Sequence, residues 1–147
     1  MARPTLRILV LPLVCFVACS LPARDFGDYL GKATASADAA ISQAETALLA
    51  GDLWLRGRLF QHSLAVQLED AEHAAGDALH GFASVLPPDH RSVALRAGLE
   101  PLLHETADLI ARMRFAARHE DIAGFRRLRG ALADSARRLE SWAAHHA

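Results

Sequence analysis

Histidine and carboxylate side chains recur at helical spacing through the middle of this chain, and they are its residues best suited to chemistry. The 147 residues include eight histidines. Asp70-x-x-His73 and Asp77-x-x-His80 lie one heptad apart, with His62, Glu69 and Glu72 nearby, and Glu100, His104 and Asp108 stack at four-residue intervals. Imidazole nitrogens and carboxylate oxygens at i,i+3 or i,i+4 share one side of a helix, which suits zinc or copper. Asp70, His73, Asp77, His80 and His104 are therefore the candidate metal ligands. Their phase weighs against a built site. At about 100° per residue, His62, His73, Asp77 and His80 fall opposite the apolar line through Leu68, Ala71 and Phe82. His104 likewise falls opposite Leu102 and Leu109. The expectation is a set of solvent-facing acid–histidine pairs, with metal binding by surface histidines as the alternative function.

A buried cofactor finds less support. Haem and di-iron bundles direct their ligands inward, whereas the inward lines here carry Ala, Leu, Phe, Val, Met and Trp, with Thr106 and Ser135 as their polar members. Met113 reads as a core filler. No Gly-rich phosphate loop, Gly-x-Ser-x-Gly elbow or His-Glu-x-x-His pair occurs, so no catalytic residue and no cofactor is assigned. Arg126, Arg127, Arg129, Arg137 and Arg138 are spaced to meet phosphates, but exposed aromatics do not interleave with them, and a nucleic-acid partner is not expected. His145-His146 reads as a frayed tail.

The N-terminus carries an address. Arg3 and Arg7 precede an apolar run over residues 8–18 that is short for a bilayer span, which predicts a signal peptide. Phe16-Val17-Ala18-Cys19-Ser20 looks like a bacterial lipobox, with Phe16 standing where an aliphatic residue is usual. On that reading residues 1–18 are removed, Cys19 is lipidated, and residues 19–24 form a tether. Cleavage after Ser20, giving a secreted protein, is the alternative. Cys15 and Cys19 are the only cysteines, so the mature body has no disulfide framework and relies on packing. Without residues 1–18 the chain carries 14 basic and 17 acidic side chains. Residues 112–147 hold eight of the basic groups and four of the acidic ones. The imbalance predicts electrostatic complementarity within the fold.

Four amphipathic stretches must position these groups. Asp25 is suited to cap a first helix, whose seam runs through Phe26, Leu30, Ala33, Ala37, Ala40, Ala44 and Ala47. Gly51-Asp52 reads as its end, followed by an ordered connection over residues 53–60 in which Trp54 and Phe60 plug the core. Leu64, Leu68, Ala71, Ala75, Ala78, Phe82 and Val85 line the second helix. Pro87-Pro88 stops it, because neither ring nitrogen can donate a hydrogen bond. Asp89 or Ser92 caps the third, lined by Leu95, Leu99, Leu102, Thr106, Leu109, Met113 and Ala116, with Pro101 expected to kink rather than break it. The fourth begins near Asp121 and carries Ile122, Phe125, Leu128, Leu132, Ser135, Leu139 and Trp142. An all-α, antiparallel up-down-up-down four-helix bundle over residues 25–147 follows.

Around the Pro-Pro hinge the chain resembles a group of uncharacterised exported helical-bundle lipoproteins of actinobacteria. The resemblance rests on Leu68-Glu-Asp-Ala-Glu72, Phe82-Ala-Ser-Val-Leu-Pro-Pro-Asp-His-Arg-Ser92, Leu95-Arg96, Pro101-Leu-Leu103 and Arg112-Met-Arg-Phe-Ala-Ala-Arg118. It implies a bacterial envelope setting and brings no activity. The expected function is therefore non-enzymatic: binding or scaffolding at the cell envelope, with the membrane as partner through the lipid on Cys19. Alternation of the helices would set the hinge at the tether's end and the connection around Trp54 at the outward end, where it would meet a protein partner.

Overall fold

The computed structural model describes residues 22–146, within which four helices form: α1 Phe26–Leu55, α2 Gln61–Ser84, α3 His90–Arg118 and α4 Ile122–His146. Cys19 and the signal segment lie outside the described residues. Ala23, at the end of the expected tether, is already buried against the core.

Three of the four starts are set by aspartates, whereas α2 begins after Phe60 without a side-chain cap. Asp25 accepts from Asp28 N–H at 2.9 Å, Asp89 from Ser92 N–H at 2.8 Å, and Asp121 from Gly124 N–H at 2.8 Å. Each satisfies an amide that the first helical turn leaves open. Asp89 is the N-cap of α3, and the buried Ser92 adds its hydroxyl to the same carboxylate at 2.8 Å. Pro101 sits on the exposed face of α3, and the helix runs through it unbroken.

The end of α1 departs from the expectation. Gly51 lies inside the helix, buried, where a Cβ would sit 3.0 Å from the Phe125 ring. It permits close approach of α4 rather than a stop. The stop is Gly57, in the left-handed region at φ +69°, with Arg58 N–H reaching back to Leu53 O at 2.8 Å. That is the bond pattern of a glycine-terminated helix. Trp54 consequently belongs to α1, packed edge-on against Phe125 at 4.8 Å. Phe60 does not plug the core; it is 85% exposed.

Contacts between helices fix their directions. Tyr29 near the start of α1 meets Phe82 near the end of α2. Arg96 early in α3 bonds Ala83 O late in α2, while Arg118 late in α3 pairs with Glu69 early in α2. Arg129 early in α4 pairs with Asp52 late in α1. Consecutive helices therefore run in opposite directions, with α4 returning beside α1. Among the described residues α1 and α3 also meet across the centre, whereas α2 and α4 do not.

The core forms two apolar clusters. One, at the end near residue 22, gathers Tyr29, Ala33, Phe82, Leu95, Leu99 and Leu139. The other gathers Ala47, Leu64, Leu68, Ile110, Met113 and Phe125. Between them the buried hydroxyls of Thr106 and Ser135 lie 2.9 Å apart. The alanine seam of α1 is buried as expected, but Tyr29 joins it ahead of the half-buried Phe26 and Leu30. Leu79 replaces Ala78 and Leu103 replaces Leu102 as the fully inward residues, and Ile122 is 37% exposed.

Candidate functional site

Some of the histidines and acids singled out by spacing occupy the outer groove between α2 and α3, whereas His62 and Glu69 line a separate depression beside Arg118. His73, Asp77 and His80 of α2 line it with His104 and Asp108 of α3, above a floor that includes Gly76, Ala107 and Ala111. The groove is open and encloses about 610 Å³. Asp70 is exposed on α2 and takes no part in it. His73, Asp77, His80 and His104 are all exposed, as their helical phase requires. Among the described residues no three His, Cys, Asp or Glu side chains converge into a set able to hold a metal ion. The groove gathers four of the five predicted ligands along its length without directing them to one point. Glu72, at its edge, is committed elsewhere: it accepts a forked pair of bonds from Arg114 at 2.5 and 3.1 Å. That bond holds the Arg114 guanidinium above its ordinary pKa.

Electrostatic complementarity within the fold is realised by such pairs. Arg114 and Arg118 reach α2, Arg138 reaches Glu105 of α3, and Arg129 reaches Asp52 of α1. Arg112 and Arg137 pair within their own helices. Six of the eight arginines of residues 112–147 are thus engaged, and Arg126 and Arg127 have no ion pair among the described residues. Of the five arginines spaced to meet phosphates, Arg129 and Arg138 join α4 to neighbouring helices, Arg137 pairs within α4, and Arg126 and Arg127 remain exposed.

Two further surfaces lie at the ends of the bundle, and the exposure of Phe60 at one and the apolar groove at the other were not apparent from spacing. At the end away from residue 22, the short α1–α2 connection presents Arg56, Arg58 and Phe60 to solvent. The glycine-terminated turn and the Leu64 N–H to Phe60 O bond hold its backbone in place. Reading Gly57 as the residue that ends α1 would have revealed it, since every side chain after the helix is then displaced by one and a half turns.

At the opposite end, α1, α3 and α4 leave an apolar groove of about 440 Å³ lined by Phe26, Ala94, Leu95, Gly98 and Trp142, with Arg91 and His146 at its rim. The Arg91 guanidinium lies 4.4 Å from the centre of the Phe26 ring, within reach of its negative face. Asp89 accepts chiefly from Ser92 N–H and hydroxyl, which lowers its carboxyl below the usual range. Its bond to Arg91 is long, 3.4 Å, and leaves Arg91 62% exposed. The His146 ring stacks on Trp142, 4.3 Å between centres. No helix among the described residues is long and apolar enough to cross a membrane.

Comparison with known protein families, curated proteins and solved structures finds no match. The functional reading rests on the surfaces just described.

Proposed function

We propose that this protein is a non-enzymatic, lipid-anchored bundle at the outer face of a bacterial cytoplasmic membrane, which acts by binding a protein partner. The observation that carries the reading is Phe60. An aromatic ring 85% exposed in an ordered connection forgoes the roughly 1.5–3 kcal/mol that burial contributes. Large exposed apolar side chains flanked by arginine are the composition of interface anchors, and Arg56 and Arg58 flank this one. The connection stands at the end opposite the tether, so attachment through Cys19 directs Phe60 away from the membrane.

Anchoring is tested by palmitate labelling of the wild type beside Cys19→Ala. Label in the first and none in the second is expected; equal labelling removes the anchor and leaves a secreted protein. Binding is tested by placing a photo-crosslinking amino acid at position 60 or at Asp70 in intact cells. A discrete adduct from position 60 alone is expected, and adducts of equal yield from both positions would overturn the partner surface.

Metal binding by surface histidines is the competing reading, favoured by the groove that brings His73, Asp77, His80 and His104 together. The absence of convergence among the described residues ranks it second. Calorimetric titration with zinc and copper separates the two. Heat that disappears in a His80→Ala, His104→Ala double variant would establish the metal site.

A further inference from the structure

Phe60 accounts for one end of the bundle, and the other end carries its own exposed apolar residues. Leu86 in the hinge is 70% exposed and Val93 in the first turn of α3 is 53% exposed. Beside them opens the groove floored by Leu95 and Gly98 and walled by Phe26 and Trp142. Three residue steps lead from Cys19 to Pro22, where the described chain begins. At 3.3–3.6 Å per residue that is a reach of about 10 Å. A lipid on Cys19 therefore brings the bilayer surface to this end of the molecule. Resting on the anchored reading above, we infer that the tether end is a lipid-contacting surface. A bilayer phospholipid seats an acyl chain in the groove between Phe26, Leu95 and Trp142, with its phosphate at Arg91.

The chemistry of the groove matches that occupant. Its lining is apolar except at the rim, where the exposed Arg91 offers a guanidinium fork suited to phosphate. Tryptophan is the side chain that settles most readily at the level of lipid headgroups. Beside Arg91, the charged side chains within about two turns of this end are Arg24, Lys32, Arg96, Asp25, Asp28, Asp89 and Glu140. Asp25, Asp28 and Asp89 face amide N–H groups of their own helix starts. Arg91 included, these four basic and four acidic side chains balance. Apolar contact rather than net charge then drives the docking, which should proceed on zwitterionic as well as anionic membranes.

The two tryptophans report on the inference independently. Trp142 lies in the groove, whereas Trp54 lies 28 residues along α1 from Phe26, about 42 Å at 1.5 Å per residue. The lipid-bearing protein is reconstituted into phosphatidylcholine vesicles with brominated acyl chains, as Trp54→Phe and, separately, as Trp142→Phe. Bromine quenches only on close approach. Loss of most Trp142 emission with Trp54 emission unchanged is expected, both in phosphatidylcholine and in phosphatidylglycerol vesicles. Equal quenching of the two, or none of Trp142, overturns the inference.

Gly98→Leu tests the groove itself. A Cβ at Gly98 sits in ordinary contact, 3.5 Å from Trp142 Nε1, and Gly98 is an exposed lining residue of the groove, so a leucine there takes up groove space. Reduced quenching of Trp142 is expected in this variant, and undiminished quenching overturns the acyl-chain seat. Palmitate label on Cys19 is read in the same preparations. Label with a silent Trp142 refutes the lipid seat and leaves the anchor standing; absence of label refutes the anchor, and the lipid seat with it.

Discussion

Tyr29 is the residue whose position could not be read from the seam. Its ring is fully buried against Phe82, and its hydroxyl has no hydrogen-bond partner among the described residues. An unsatisfied buried hydroxyl costs about 1–3 kcal/mol. Tyr29→Phe keeps the packing and removes that cost, so it should raise stability by about 1 kcal/mol, measured by urea denaturation at pH 7. Burial also pushes the phenol above its usual value of 10.0, with Arg96 pulling it down and Glu100 up to a lesser degree. A raised value in the fold means that the neutral form is the favoured one. Its stability contribution is complete below pH 10 and is lost as pH rises through the folded-state value. The wild type should therefore lose stability above pH 10 more steeply than Tyr29→Phe. Parallel alkaline limbs would refute the assignment. The seam missed Tyr29, Leu79 and Leu103 for one reason. Alternating four- and three-residue steps average 3.5, whereas a straight helix turns every 3.6 residues and drifts about 20° per heptad. Two successive steps of four absorb the drift, as at Ala71, Ala75 and Leu79 and again at Leu95, Leu99 and Leu103.

At the scale of elements, three helix starts were legible, while the uncapped start of α2 and the end of α1 were not. Asp25, Asp89 and Asp121 act through a local bond to an amide three residues on, which spacing alone reveals. Gly51 and Gly57 both carry the composition of a helix end. What separates them is the Phe125 ring of α4, a neighbour 74 residues away in the chain. The two closing turns, after α1 and after α3, have the same form but different residues. Gly57 holds φ +69° and Glu120 holds φ +56°, and Asp121 N–H reaches back to Ala116 O as Arg58 does to Leu53 O. A side chain in that region costs about 1–2 kcal/mol, and the flexibility of glycine in the unfolded chain offsets part of this. Gly57→Ala should therefore lower stability by about 1 kcal/mol and Glu120→Gly raise it by about 0.5–1 kcal/mol. Thermal melts of the two variants should move in opposite directions. A fall in both would show that the Glu120 side chain contributes more than its backbone strain removes.

For the whole molecule, the bundle was legible because four apolar lines joined by short connections admit few other arrangements. Its surfaces were not, because they depend on how far each helix rotates against its neighbours. That rotation decides that Leu103 points fully inward while Leu102 is only half-buried. Leu103→Asp should accordingly abolish the cooperative melt, whereas Arg126→Ala, exposed and without an ion pair among the described residues, should change stability by less than about 0.5 kcal/mol. Similar melting temperatures for the two would refute the observed register. The two apolar clusters are joined through Thr106 and Ser135, and the direction of this bond follows from proton count. Thr106 Oγ1 lies 2.9 Å from both Leu102 O and Ser135 Oγ. Its single proton goes to the carbonyl, so Ser135 is the donor between the hydroxyls. Thr106→Val then strands the Ser135 donor in the core, at about 1–3 kcal/mol. Ser135→Ala removes only an optional donor from Thr106, whose own proton remains bonded, and should cost less. The double variant should cost less than the sum of the two, because the stranded donor is gone. Urea denaturation of the four proteins measures that coupling. Strict additivity, or a larger cost for Ser135→Ala than for Thr106→Val, would show that this bond does not tie the two halves of the core together.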